Sequence, residues 1–395
     1  MSETVTGHHH LWQIDLLRIA PMAGVVIVHG ILLTQPPDSL GGNALLMVLH
    51  TNRELFIFVS AFVLAYSTRA WEASLTVRRF WRRRYPVVVV PYLLWTLVYW
   101  VTDVFHYNVG PTLFALDWLR IDVTLGWFDL YFLLVTMQFY LLFPLLAWLL
   151  RRARPYHLHL LALSAALQLG ITTVMQYWWP YMPWPVQWWW QFAQVEATSY
   201  QFYFVAGALA AFHIDRWLPW LRSHRRPALL AALGGVAIGE GWYWLNLRLW
   251  QSPSQASNVF QPAELLLVAA ILVCLWLLAE HLLARHQLGG RAWSSIRFGA
   301  DASFGVFLAH MLVLSAIIYT PIRGWLGMDR MPLPLSAVVA IAVTLVVTTG
   351  LVAVLRSSPL SWPVLGRARR RRGGRTAEEG RTLRQPHAEP RRESA

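Results

Sequence analysis

Ten stretches of roughly 20 mostly apolar residues follow one another along this chain, each long enough to cross the hydrocarbon core of a bilayer as a helix. They fall at residues 12–34, 44–67, 86–106, 127–150, 157–177, 198–215, 227–245, 262–283, 302–322 and 335–355. In lipid every backbone polar group must find its partner inside the protein, so serial segments of this length predict an all-α, polytopic membrane protein. Composition agrees: 13% of the residues are charged, against about 25% in an ordinary soluble domain.

Arg sets the orientation. All 33 Lys/Arg positions are Arg. With the N-terminus inside, sixteen Arg fall in inner loops and four, Arg120, Arg248, Arg323 and Arg330, in outer loops. The positive-inside rule then puts both termini in the cytoplasm, as an even number of spans requires, and predicts a multi-pass protein of the cytoplasmic membrane. Residues 1–356 form the transmembrane domain and 357–395 a basic, disordered tail. From Arg367 onward the chain holds ten Arg and four Glu. The formal charge of +13 therefore reflects topology and attraction to anionic lipid, and nucleic acid is not an expected partner.

The costly residues lie inside the spans. Asp15, Arg18, Met22, Val25 and His29 share one helical stripe in the first segment. Arg18 and His29 are eleven residues apart, nearly a whole number of turns, and so about 16 Å apart along one face. Arg18 sits near the inner surface and His29 past the midplane. Ionisable residues within a span are functional candidates by default; the plainer alternative is a snorkelling Arg and a packed imidazole. The second segment carries Arg53 and Glu54, with Ser60 two turns beyond Arg53. These two charges either compensate each other locally or orient a reacting group. The run Arg78-Arg79-Phe80-Trp81-Arg82-Arg83-Arg84 precedes the third segment. It suits inner-surface topology, and it also suits a polyanion, because guanidinium groups bind phosphate bidentately. In the ninth segment Ser303 and His310 share a face; His310 is either a second titratable group or an interhelical hydrogen-bonding residue. The segment from Tyr177 to Trp190 holds six Trp and reads as an interfacial aromatic belt.

Taken together, these segments resemble the acyltransferase 3 family of integral-membrane acyltransferases. Ile14-Asp15-Leu16-Leu17-Arg18-Ile19-Ala20 followed by Val25 to His29 resembles the family's signature of a basic residue, ten residues and a His. Asn52 to Phe62 resembles its second-helix motif, with Ala61 where Gly usually follows the Ser. Phe80 to Trp95, Trp127-Phe128 with Gln138 to Pro144, and Ser303 to His310 are similar to three further family patterns in the same order.

The resemblance implies transfer of an acyl group, often acetyl, from cytoplasmic acyl-CoA to a hydroxyl on a sugar, glycolipid, envelope polymer or secondary metabolite. It makes His29 catalytic, and it has Arg18, Arg82, Arg83 and Arg84 hold the donor. Arg53, Glu54 and Ser60 would support the reaction or face the acceptor, and His310, as the second titratable group, is a further catalytic candidate. No bound cofactor or metal is expected, because a thioester needs only a nucleophile and a place for the developing oxyanion. The rival expectation is a transporter or flippase for an envelope glycan or lipid precursor. A charged intramembrane cavity fits both.

Overall fold

The computed structural model describes residues 11–68, 76–107, 113–126, 129–250, 252–284 and 290–367. The His8–His10 run and most of the basic tail lie outside them. Among the described residues there is no strand, and nine helical stretches are long and apolar enough to cross a membrane. The chain is an all-α polytopic membrane protein.

The first helix, α1 (Trp12–Thr34), is followed by α2 (Leu40–Leu49) and α3 (Asn52–Thr68). The helix breaks at His50 and Thr51, so the segment expected at 44–67 is one kinked span covering Leu40–Thr68. In α4 (Val77–His106) the Arg-rich first turns run straight into the apolar span, with Pro86 and Pro91 inside the helix. Then come α5 (Leu113–Ile121), α6 (Tyr131–Arg152), α7 (His157–Thr173) and the short α8 (Trp184–Trp190). Around α8 the side chains of Trp178, Tyr181, Trp184 and Trp188 are exposed, as an aromatic belt requires.

The sixth expected span, 198–215, is shorter as a helix than expected, and it runs back along α7 from Ser164, which bonds Gln201, to His157, which meets His213. A tight turn at Ala197–Tyr200 leads into α9 (Gln201–Phe212), which stops at His213, where α10 (Ile214–Ser223) starts in a new direction. Twelve residues of helix reach about 18 Å, well short of the hydrocarbon thickness. The sequence is apolar there because α9 is buried against α3. Its Gly207 lies against the Phe58 carbonyl and 3.0 Å from the Ala61 side chain, measured from where a Cβ would stand. The small residue that Ala61 displaces on α3 is supplied by α9, and close approach of small residues is how helices associate in lipid.

The remaining helices are α11 (Arg225–Trp250), α12 (Pro253–Ala256), α13 (Ala263–Ala284), α14 (Gly290–Tyr319), α15 (Ile322–Trp325), α16 (Leu333–Ser357) and α17 (Ser361–Leu365). α1 runs through the middle of the bundle, packed on α3, α13, α14 and α16. After α16 the chain folds back onto α4. There the Trp95 indole donates to the Val364 carbonyl at 2.9 Å. Gly366 turns with φ +62°, its missing side chain leaving room for the Val87 carbonyl. This return delivers Arg367 to Asp301 on α14 at 2.6 Å.

Candidate active site

Two cavities lie end to end along α1. The first, about 220 Å³, is lined by the polar side chains Arg18, Ser60, Arg84, Thr136, Tyr140, Ser303 and Arg367. The second, about 270 Å³, is lined by His29, His50, Asn52, Arg53, Asp129, Tyr131 and Gln194. Phe56, Phe132 and Phe307 line both. Their rings form a closed triangle, with centroids 5.7, 5.7 and 6.3 Å apart.

Helix periodicity produces this layout. α1 offers Arg18 to the first cavity and His29 to the second. α3 offers Ser60 to the first, Phe56 to the junction and Arg53 to the second. α14 offers Ser303 to the first and Phe307 to the junction, with His310 one turn on. Three- and four-residue steps keep each set on one face while it climbs through the bilayer. Arg53 and Ser60 therefore share a face, as their spacing predicts, yet open into different cavities.

His29 and His310 meet. His29 Nδ1 lies 2.8 Å from His310 Nε2. The ring planes differ by 5° and the centroids are 5.0 Å apart. That separation exceeds the nitrogen separation by about two ring radii, so the imidazoles touch edge to edge in a common plane. His310 Nδ1 lies 2.6 Å from the Phe307 carbonyl, which can only accept. His310 Nδ1 therefore carries its proton, and in the neutral ring Nε2 is bare and accepts from His29 Nδ1–H. His29 Nε2 is then the nitrogen without a proton, the basic tautomer.

Arg53 is held on several sides. It donates to Glu54 Oε1 at 2.9 Å and to the Val259 carbonyl at 3.0 Å. Its guanidinium carbon lies 5.1 Å from the Phe260 ring centroid and 5.6 Å from that of Tyr200. Glu264, from the first turn of α13, is buried, and neither of its carboxylate oxygens has a hydrogen-bond partner among the described residues. Arg53 thus serves a buried acidic environment and one wall of the second cavity together.

The four Arg expected to bind a donor divide into two groups. Arg18 and Arg84 face the first cavity. Arg82 and Arg83 are exposed and line a separate surface depression with Arg78 and Arg79. Arg367, which sequence reasoning left in the tail, joins Arg18 and Arg84. The fold-back onto α4 brings it there, and an Arg at the head of a basic run, after a Trp-Pro-Val-Leu-Gly stretch, announces no such return. His50 and Asp129 were also missed. His50 is adjacent to the recognised second-helix motif, and its Nδ1 donates to the Ser257 carbonyl at 3.0 Å. Asp129 sits one residue past the recognised Trp127-Phe128.

A family model for the acyltransferase domain, Acyl_transf_3, matches residues 11–353. The chain belongs to the acyltransferase 3 family. No curated protein and no solved structure matches it. The match covers both cavities up to Ser303 and His310 on α14. It stops short of Arg367, whose side chain reaches the first cavity from beyond the matched residues.

Proposed function

We propose that this membrane acyltransferase moves a small acyl group, acetyl or close to it, from acyl-CoA in the Arg18 cavity to a hydroxyl in the His29 cavity. The acceptor class is a sugar, glycolipid, envelope polymer or secondary metabolite. The observation that carries the reading is the pair of abutting cavities, with three guanidinium groups at one end and a basic imidazole tautomer at the other. The Arg distribution supports a cytoplasmic donor side. Arg18, Arg84 and Arg367 would hold the nucleotide phosphates through charge-assisted hydrogen bonds. The pantetheine arm then spans the roughly 16 Å between Arg18 and His29 along α1.

In the second cavity His29 Nε2 takes the acceptor hydroxyl proton. The oxygen attacks the thioester carbonyl, the C–S bond breaks, and the thiolate leaves with the proton from His29. Arg53 faces the same cavity and favours the developing oxyanion.

The test uses purified protein in nanodiscs with labelled acyl-CoA and a panel of hydroxyl acceptors. His29→Ala should cut transfer by about 10²–10⁴ while donor binding persists. Wild-type transfer by His29→Ala would overturn the assignment of the base. The aromatic closure between the cavities also fits a transporter with alternating access. Intact movement of a glycan or lipid precursor by His29→Ala, with no donor consumed by the unmodified protein, would establish that reading instead.

A further inference from the structure

Asp129 has no part in the steps above, yet it is the most unusual carboxylate in the second cavity. It is 4% exposed, and neither oxygen has a hydrogen-bond partner among the described residues. An ionised carboxylate buried this way is costly unless a positive partner meets it. Its position makes the isolation more telling. Asp129 immediately precedes the N-cap of α6, Leu130, where an Asp commonly accepts from the first free N–H groups. The α6 N-terminus has no side-chain cap, and Asp129 contributes there through its backbone carbonyl, which accepts from Phe132 N at 3.3 Å. The carboxylate points instead toward His310, with Oδ2 3.6 Å from Nε2. That nitrogen is the same atom that accepts His29 Nδ1–H.

We propose that Asp129 is a positioning residue for the proton relay: its carboxylate stabilises the imidazolium formed when His29 takes the acceptor proton. The proposal rests on His29 as the base. The proton bookkeeping closes within the named groups. The acceptor O–H breaks and its proton goes to His29 Nε2. The His29–His310 pair is now cationic, and the Nδ1 proton can shift along the in-plane line to His310 Nε2. There it lies between His29 and the Asp129 carboxylate, while His310 Nδ1–H stays on the Phe307 carbonyl. The oxygen electron pair forms the new C–O bond, C–S breaks, and the shifts reverse as the thiolate takes its proton from His29 Nε2. Asp129 touches neither donor nor acceptor in this scheme and acts through His310.

The other chemistry open to two imidazoles and a carboxylate is a divalent cation, since one ligand atom from each lies within 4.8 Å of the others. A shared cation needs both nitrogen lone pairs to converge on a third point. Here the nitrogen vectors are directed at each other, which is hydrogen-bond geometry. The titratable and charged groups facing the trio are Tyr99 from α4, Tyr131 from α6, His50 after α2 and Arg53 from α3. The Tyr99 hydroxyl already donates to the Leu308 carbonyl at 2.6 Å.

Asp129→Asn removes the charge and keeps the shape. It should lower kcat by about 10² with little change in either KM, and Asp129→Glu should recover a good part of the loss. A carboxylate beside the pair favours its protonated form, so in Asp129→Asn the acid limb of the pH–rate profile moves to lower pH. In a His310→Gln background Asp129→Asn should add almost nothing, because its route is gone. An unchanged kcat with an unmoved limb in Asp129→Asn overturns the proposal. So does loss of wild-type transfer on chelation with rescue by Zn²⁺, which would make the trio a cation site. A structural role alone would lower the folded fraction and leave the limb where it was. Titration of ¹⁵N-histidine-labelled protein by NMR, without any acyl donor, reads the same shift in the pair. It separates failure here, shown by an unmoved histidine titration in Asp129→Asn or, if that variant does not fold, in Asp129→Leu, from failure of the acyl-transfer reading, shown by no transfer from the unmodified protein.

Discussion

Removing single guanidinium groups from the Arg-rich end should rank them by where they face, not by how dense the run is in sequence. Arg18, Arg84 and Arg367 converge on one cavity, and Arg82 and Arg83 point away from it. A charge-assisted hydrogen bond to phosphate in a partly buried site is worth about 1.5–3 kcal/mol. Arg18→Gln or Arg84→Gln should therefore raise the donor Kd roughly 10- to 150-fold. Arg82 and Arg83 are exposed, and interactions of exposed charges are worth about 0–1 kcal/mol. Their Gln variants should move Kd by at most about fivefold. Arg367 should fall between the two groups, because Asp301 already engages it and shares itself with Arg356 at 3.3 Å. Isothermal titration of each purified variant with CoA, repeated at two salt concentrations, measures the order directly. A larger loss from Arg82→Gln and Arg83→Gln than from Arg18→Gln and Arg84→Gln would refute the assignment of the donor cavity.

Three further outcomes follow from the packing. Gly207→Leu forces a side chain against the Phe58 carbonyl and Ala61 and should cost about 1–3 kcal/mol or more, read as a lower yield of monodisperse protein in detergent; normal yield and melting temperature would contradict the close α3–α9 contact. Arg53→Met leaves Glu54 and Glu264 buried without their cation and should cost about 3–5 kcal/mol, with part regained on adding Glu54→Gln and Glu264→Gln; thermal unfolding of the three proteins checks it, and an unchanged Arg53→Met counts against it. Phe56→Ala opens one side of the aromatic triangle, so transfer of butyryl relative to acetyl should rise about tenfold, two extra methylenes being worth about 1.6 kcal/mol when buried. Competition between the two thioesters measures it, and an unchanged ratio would show that the rings do not gauge the acyl chain.

Long apolar segments and the Arg18–His29 stripe were legible because each depends on short-range periodicity. The shortness of α9 was not. Its apolar residues satisfy a span by composition, and only packing on α3 reveals that they are buried in protein. The His29–His310 bond joins residues 281 apart, and no local pattern encodes which two helices will meet. Arg82 and Arg83 illustrate the opposite error. In sequence they are inseparable from Arg84, but helical rotation turns adjacent side chains by about 100° and puts them on different surfaces. Arg367 depended on the chain returning from a segment that reads as tail, and Asp129 lies in a turn directly after a recognised motif, where no local pattern singles it out.

A membrane holding a potential imposes a condition that catalysis does not. Moving one charge through 100 mV is worth about 2.3 kcal/mol, and imidazoles, carboxylates and guanidinium groups strung from one side to the other would conduct protons if water joined them. Phe56, Phe132 and Phe307 interrupt that string at the one place where the two cavities share a wall. Between turnovers, with no pantetheine arm threaded past them, these rings would insulate the groups of one cavity from those of the other.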